Sequence, residues 1–541
     1  MNIDMTATIR RLTMTFLILL LLISMIAAYV QISDQVFFNG PALSNGPYAQ
    51  IKCPPYDAPV RGTIYDRNGV KLAWSVPDPN ATCGYRRVYA DPSLSPLIGY
   101  FSYKYGTAGI EATYNDQLAG IQHGETFPDV VSKLLHRPRY GEDLYLTIDE
   151  KLQQYANQVF DAQFPNGPVF TGGVCEAAGS QAAGSLIVEN PNTGEILAMV
   201  SHPYYDPNQI DSPGYFQQLQ SDPGLPLLNR GAQGLYDPGS TFKTVTLMAA
   251  LNEGTVSLNQ QFDKNTAVYY QAPEAHAVNW IDYLNGVWPN LQFPITLKDA
   301  YAYSDNSLFA REAVNLGADK WLSYVRAFGI QTPAPGMPNV QSIPFDAPQS
   351  QSTAFNAVSN GSSSPFNTDL LEDEGFGQGQ LLITPLTMEE VVSTVAANGV
   401  TYEPHIGWKI VPHGQSVNNT LPQAPVQYGQ PIRPETAQSV RAAMWAVASY
   451  GTGAAGLAPY NGHTLATSGV YEGGKTGTAQ SDQPNPDTWW ISLAPDDQAP
   501  GAPSGAKYAI TLMKEHSGEG ACQVYVADTV YQYALQNNIG Y

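Results

Sequence analysis

Ser240 and Lys243 stand three residues apart in the run Asp237-Pro238-Gly239-Ser240-Thr241-Phe242-Lys243. On a helix that spacing puts a hydroxyl and an amine on one face, one turn apart, so the amine can reach the hydroxyl oxygen. Serine alone is a poor nucleophile. An adjacent base must take its proton, and the positive end of a helix dipole helps to hold negative charge that develops near the oxygen. The pair therefore offers nucleophilic attack by an activated hydroxyl.

A helix has to position that pair. The run Thr244 to Leu251 is helix-compatible, Asp237 is suited to cap it, Pro238 to the first helical position, and Gly254 to its stop. A second S-x-x-K, Ser504 to Lys507, lies in a loop-like run after Pro500-Gly501-Ala502-Pro503, where no helix would align the two side chains. Two further elements follow Ser240 in order: Ser304-Asp305-Asn306 and Lys475-Thr476-Gly477. S-x-N is a common string, matched by chance at Ser257/Asn259 and Ser416/Asn418, whereas K-T-G occurs once. Each gap is wide enough to be a folded block that returns its motif to one cleft. The ordered trio S-x-x-K, S-x-N and K-T-G resembles the penicillin-recognising serine enzymes. More narrowly, the chain resembles a monofunctional class B penicillin-binding protein.

The chain has 541 residues, enough for two or three domains with sizeable cores. Its 26 Lys and Arg against 47 Asp and Glu give a net charge of −21, which argues against a nucleic-acid partner, since phosphate binding needs clustered cations. Leu12 to Val30 is a run of nineteen residues with no charge, preceded by Arg10 and Arg11 and followed by Asp34. That length suits a bilayer span, and the paired arginines put the N-terminus in the cytoplasm and the rest of the chain outside. The run is longer than the apolar core of a cleaved signal peptide, so a retained anchor is expected. Four cysteines, Cys53, Cys83, Cys175 and Cys522, fall on the exported side without metal-ligand spacing. Three pairings are possible, and Cys53 with Cys83 is the most local.

Three segments are expected: residues 1–33 as cytoplasmic tail and anchor, 34–145 as a non-catalytic pedestal, and 146–541 as the catalytic domain. Asn68-Gly69 between short β-compatible runs signals a hairpin. The surrounding R-G-x-I-x-D-R-N-G-x-x-L-A resembles the start of the class B pedestal, a dimerisation-like domain. The roughly hundred residues before Thr147 leave no room for a glycosyltransferase domain. From Thr147 the period becomes helical, with Thr147 and Glu150 read as a capping box. Strands are expected at Ser185–Glu189, Ile196–Val200, around Lys475, at Thr488–Leu493 and at Tyr508–Met513. Helices are expected after Thr296 and Thr384, over Pro434–Ser449 and from Val524. The polar stretch Phe345–Gly379 is read as a surface loop near the cleft.

The resemblance implies an α+β fold, the penicillin-binding and serine β-lactamase-like transpeptidase domain, with an antiparallel sheet flanked by helices behind a transmembrane helix and an elongated pedestal. It implies that Ser240 attacks a D-Ala-D-Ala peptide of a peptidoglycan stem, and that an amine of a neighbouring stem takes the acyl group. Lys243 would be the base, and bringing it from a reference pKa near 10.4 to about 7 takes ~4 kcal/mol. Ser304 would pass protons, and Asn306 would hold Lys243 and the substrate amide. Backbone N–H groups of Ser240 and Thr478 would form the oxyanion hole, and Lys475, Thr476 and Thr478 beside Gly477 would meet the terminal carboxylate. No cofactor or metal is implied. β-Lactams are the implied inhibitors, and a polytopic membrane glycan polymerase of the SEDS type the implied partner. A class A β-lactamase is disfavoured because no E-x-x-L-N run supplies its glutamate. A D,D-carboxypeptidase of the same fold, or a non-catalytic β-lactam sensor or scaffold, are the alternatives.

Overall fold

The computed structural model describes residues 14–22, 60–120, 140–161, 169–170, 173–174, 183–273, 275–330, 368–379, 381–415, 417–419, 422, 424–454, 469–480 and 485–541. Among them no helix is long and apolar enough to cross a membrane. Of the apolar run, residues 14–22 are helical with exposed side chains, and the remainder lies outside the described residues. So do Cys53 and Cys175. Cys83 and Cys522 are each disulfide-bonded, and no described cysteine is free.

The N-terminal part is a mixed sheet. Strands β1 (Ile64–Tyr65), β2 (Lys71–Pro77), β3 (Tyr85–Tyr89) and β4 (Asp143–Leu146) are joined by a distant fifth, Gly407–Val411, which pairs antiparallel with β4 at the sheet edge. The Asn68-Gly69 turn is present. Asp66 Oδ1 accepts the main-chain N–H groups of Asn68 and Val70 at 2.8 and 2.7 Å, and Gly69 takes φ 84°. Behind the sheet Glu111 is fully buried between Arg61 and Arg87. Burial pushes its carboxyl up, and the two guanidinium groups outweigh that and hold it below the ordinary range.

One apolar cluster joins Ile64, Leu72, Leu97 and Ile110 of this part to Ile187, Ile196 and Met199 of the next. The two parts therefore share a core, and their contact is continuous at this point.

The second sheet contains β5 (Gly184–Asn190), β6 (Glu195–His202), β7 (Gly473–Ala479), β8 (Asp487–Ala494) and β9 (Tyr508–Lys514) in the order β6-β5-β9-β8-β7, antiparallel throughout. Every residue of β5 and β8 is buried without alternation, as a sheet covered on both faces requires. The covering elements include α1 (Glu150–Asp161) and three later helices, Pro385–Ala396, Pro434–Ser449 and Val524–Gln536. Both ends of the domain thus close on one sheet, as the resemblance implies.

Two of the expected N-caps form as read. Thr296 and Asp299 make a reciprocal capping box, and Thr384 accepts from Thr387 N with Pro385 at the first position. The cap expected at Thr147 is displaced by two residues. Asp149 Oδ1 accepts Leu152 N at 3.0 Å, while Thr147 Oγ1 donates to Ile196 O at 2.6 Å. Thr147 follows directly on β4, its main-chain N–H is bonded to Ile406 O, and its hydroxyl faces Ile196 and away from the helix.

Three fully buried carboxyls, Glu189, Glu389 and Glu472, are pushed well above their ordinary range, first by burial and then by neighbouring acids.

Candidate active site

Ser240 lies on a short 3-10 turn, Gly239–Phe242, that runs into α2 (Lys243–Glu253) and ends at Gly254 with φ 70°. Asp237 does not cap it. Gly239 has φ 54°, which interrupts the helical path between Asp237 and Ser240 and leaves an Asp237 side chain no helix to address. The Asp237 carbonyl instead accepts the Trp489 indole N–H at 2.9 Å, and burial with Asp487 raises its carboxyl to about 6.

Ser304 sits at the bend between α3 (Leu297–Ala302) and α4 (Asn306–Leu316), with φ 61°. A serine in the left-handed region is strained. The conformation turns both its carbonyl and its hydroxyl toward Lys243. Asp305 holds the bend by capping α4 through Leu308 N at 3.1 Å.

These elements bring the motif residues together. Lys243 Nζ lies 2.8 Å from Ser240 Oγ, 2.9 Å from Ser304 O, 3.0 Å from Ser304 Oγ and 2.6 Å from Asn306 Oδ1. Lys475 Nζ reaches the same Ser304 Oγ at 3.0 Å and its neighbour's carbonyl, Thr476 O, at 2.8 Å. Ser304 thus bridges two amines. Both lysines are fully buried.

Burial pulls Lys243 down to about 7, against the pull of Asp305 in the other direction. Lys475 falls well below its usual range, through burial first and the charge of Lys243 second. Asp305 is itself pushed up to about 8 by burial, so its opposition to the loss of charge on Lys243 is weakened. A neutral lysine amine has two N–H donors and one lone pair. Ser304 O and Asn306 Oδ1 can only accept and take the two donors, leaving the lone pair for the hydroxyls. Ser240 is the hydroxyl at 2.8 Å.

Lys475, Thr476, Gly477 and Thr478 lie on edge strand β7, opposite Ile491, Trp490, Trp489 and Thr488. Gly477 admits the nucleophile turn, since a Cβ there would stand 2.9 Å from Thr241 Cγ2 and 3.0 Å from Pro238 O. A Cβ on Gly239 would likewise meet the Thr478 carbonyl at 3.0 Å. The strand and the turn are therefore in main-chain contact.

Several neighbours escape sequence reasoning. Thr452 Oγ1 is 2.6 Å from Thr476 Oγ1, Glu519 Oε2 accepts from Thr478 Oγ1 at 3.2 Å, and the Tyr301 ring lies under Lys475 Nζ at 5.6 Å. Thr452 lies in the glycine-flanked string Gly451-Thr452-Gly453, whereas nothing adjacent in sequence marks Glu519. The stretch read as a loop after Phe345 is helical in part: α5 (Thr368–Gly375) packs along α4, while residues 345–367 lie outside the described residues. Beyond α5, Gly377 has φ 89° and its α-carbon faces the Gly239 carbonyl, where a Cβ would stand at 1.8 Å.

Residues 184–518 match the penicillin binding protein transpeptidase domain, and residues 61–144 the penicillin binding protein A dimerisation domain. The peptidoglycan D,D-transpeptidase PbpA of Mycolicibacterium smegmatis is 28% identical over 531 residues, 95% of each chain. The peptidoglycan D,D-transpeptidase MrdA of Escherichia coli is 28% identical over 338 residues, 59% of this chain and 47% of its own. Among solved structures, penicillin-binding protein A from M. tuberculosis, as an imipenem acyl-enzyme complex, superposes with a TM-score of 0.71 at 24% identity, covering 89% of this chain and 100% of that one. With a serine, two buried amines and a K-T-G edge strand converging inside the matched region, the chain belongs to the penicillin-binding protein transpeptidase family.

Proposed function

We propose that this protein is a penicillin-sensitive, serine-type peptidoglycan D,D-transpeptidase of class B. The observation that carries the reading is the Ser240–Lys243–Ser304–Lys475 chain of contacts, each link between 2.8 and 3.0 Å. Ser240 Oγ bonds to the carbonyl carbon of the penultimate D-Ala, and its proton passes to Lys243 Nζ. The C–N bond then breaks, and the departing D-Ala nitrogen takes a proton relayed through Ser304. An amine of a second stem attacks the ester, the C–Oγ bond breaks, and the proton lost by that amine returns through Lys243 to Ser240. Backbone N–H groups of Ser240 and Thr478 hold the oxyanion, and Lys475, Thr476 and Thr478 mark the end of the groove that takes the terminal carboxylate.

The same reading places the protein in the cell membrane through one helix, with its N-terminus in the cytoplasm and the catalytic domain outside. The charge-free run behind Arg10 and Arg11 supports this, as do disulfides at Cys83 and Cys522, which suit an oxidising compartment. A membrane glycan polymerase of the SEDS type is the proposed partner, by resemblance to the class as a whole.

The test is intact-protein mass spectrometry of the solubilised chain with benzylpenicillin, beside Ser240→Ala, then incubation with stem-peptide donor and acceptor. A single long-lived adduct absent from the variant, with cross-linked product, supports the proposal. Released D-Ala without cross-link makes it a carboxypeptidase, rapid turnover of the adduct a β-lactamase, and no adduct on folded protein a scaffold.

A further inference from the structure

Away from the serine, one histidine and three carboxylates converge. His276 lies in the turn between strands Tyr269–Gln271 and Ala277–Asn279, on the chain between the Ser240 and Ser304 motifs. Asp369, Glu372 and Asp373 lie on α5. The main-chain N–H of His276 donates to Asp369 Oδ1, ring Nδ1 stands 3.1 Å from that oxygen, and ring Nε2 stands 3.2 Å from Asp373 Oδ1. One ligand atom from each of His276, Asp369 and Glu372 lies within 4.8 Å of the other two.

A second observation separates this cluster from an ordinary surface ion pair. Glu372 is fully buried, its Oε1 accepts Ala272 N at 3.1 Å, and its Oε2 has no donor among the described residues. A buried carboxylate oxygen without a partner is costly. Here the carboxylate points into a group of one imidazole and one further carboxylate, and His276 and Asp369 are open enough to water for an ion to enter.

We propose that His276, Asp369 and Glu372 form a site for one divalent cation of the Zn²⁺ type, with Asp373 orienting the imidazole. One nitrogen and two carboxylate oxygens are a donor set zinc accepts, at about 2.0–2.2 Å, leaving a fourth position for water. Nδ1 is the ring nitrogen on the side of Asp369, and Nε2–H already faces Asp373, the carboxylate–histidine arrangement that sets tautomer and ring orientation in metal sites. Rotation of the exposed His276 and Asp369 side chains closes the remaining separation. The ion would fasten the hairpin to α5, which packs along α4 and leads to Gly377 against the Gly239 carbonyl. It would stiffen the wall behind the nucleophile without touching substrate, and the proposal stands apart from the transpeptidase reading.

The test is calorimetric titration of the EDTA-stripped full chain in detergent with zinc chloride in a non-coordinating buffer. Wild type should take up one ion. His276→Gln and Glu372→Gln should each weaken that uptake at least about tenfold, and Asp373→Asn by about 10-fold or more, while His516→Ala, at a separate His–Asp pair, should leave it unchanged. A native-like far-UV spectrum and unfolding transition in every variant verify folding. No uptake by wild type, or uptake unaltered in both Glu372→Gln and His276→Gln, overturns the site.

Discussion

The amine of Lys243 lies 2.8 Å from the hydroxyl oxygen of Ser240, one turn away, in a site where burial brings that amine to about 7. Its two N–H donors are taken by Ser304 O and Asn306 Oδ1, so the lone pair is directed by the groups around it as much as by its own helix. Proton transfer to a positioned base contributes roughly 10²–10⁴ in rate. Lys243→Ala should lower acylation by benzylpenicillin by at least that factor while the far-UV spectrum and unfolding transition stay native-like. Normal acylation in the folded variant would remove Lys243 from the mechanism.

The sign of the pH effect follows from the same group. A lowered amine pKa means that the neutral base is abundant above about 7 and is lost to protonation below it. The acylation rate should therefore rise about tenfold per pH unit below 7 and level off above it. Stopped-flow or quenched labelling between pH 5.5 and 8.5 measures the profile; a flat one contradicts a base of this pKa.

Ser304 carries function on a strained backbone, with φ 61°. Left-handed strain on a non-glycine residue is of order 1–3 kcal/mol, and glycine escapes it. Ser304→Gly should therefore be more stable than Ser304→Ala by about 1 kcal/mol. Both should lose acylation, since neither can bridge Lys243 and Lys475. Chemical unfolding beside penicillin labelling separates the effects, and equal stability of the two variants would argue against the strain.

Gly377 touches the nucleophile turn from outside the three motifs. A Cβ at this position would stand 1.8 Å from the Gly239 carbonyl, and its φ is 89°. Gly377→Ala should cost more than about 1 kcal/mol of stability, because the native conformation is incompatible with alanine. It should also slow acylation by displacing Gly239. Wild-type behaviour on both counts would show that the turn can move aside freely.

Glu189 is buried against Glu389 and Glu390, and burial first, then their charges, raise its carboxyl well above the ordinary range. Such a group stabilises the fold below its unfolded pKa, and that contribution is lost as pH rises toward its folded value. Glu189→Gln, neutral at every pH, should thus be more stable than wild type at pH 7–8. The advantage should shrink as the pH falls and vanish near pH 4.5, where the carboxyl is protonated whether the chain is folded or not. A pH-independent difference would mean that Glu189 does not take up its proton on folding.

The amino-acid sequence by itself determined which residues could react and in what order the chain presents them. Ser240 with Lys243 is a local relationship, set by helical period, and the caps at Thr296 and Thr384 are equally local. Four strands of the catalytic sheet were legible as short apolar runs bounded by turns, and the fifth, Gly473–Ala479, from the glycines that flank Lys475. Only the tertiary structure decided that Asp149 caps α1, because a neighbouring strand claims the Thr147 hydroxyl. It alone joined Gly407–Val411 to the N-terminal sheet, buried Lys475 and set Gly377 on the nucleophile turn. Local pattern specifies what a residue's neighbours along the chain allow. Burial, strand partners and the lowered pKa of Lys243 depend on segments far away in sequence, and those arise when the chain is packed.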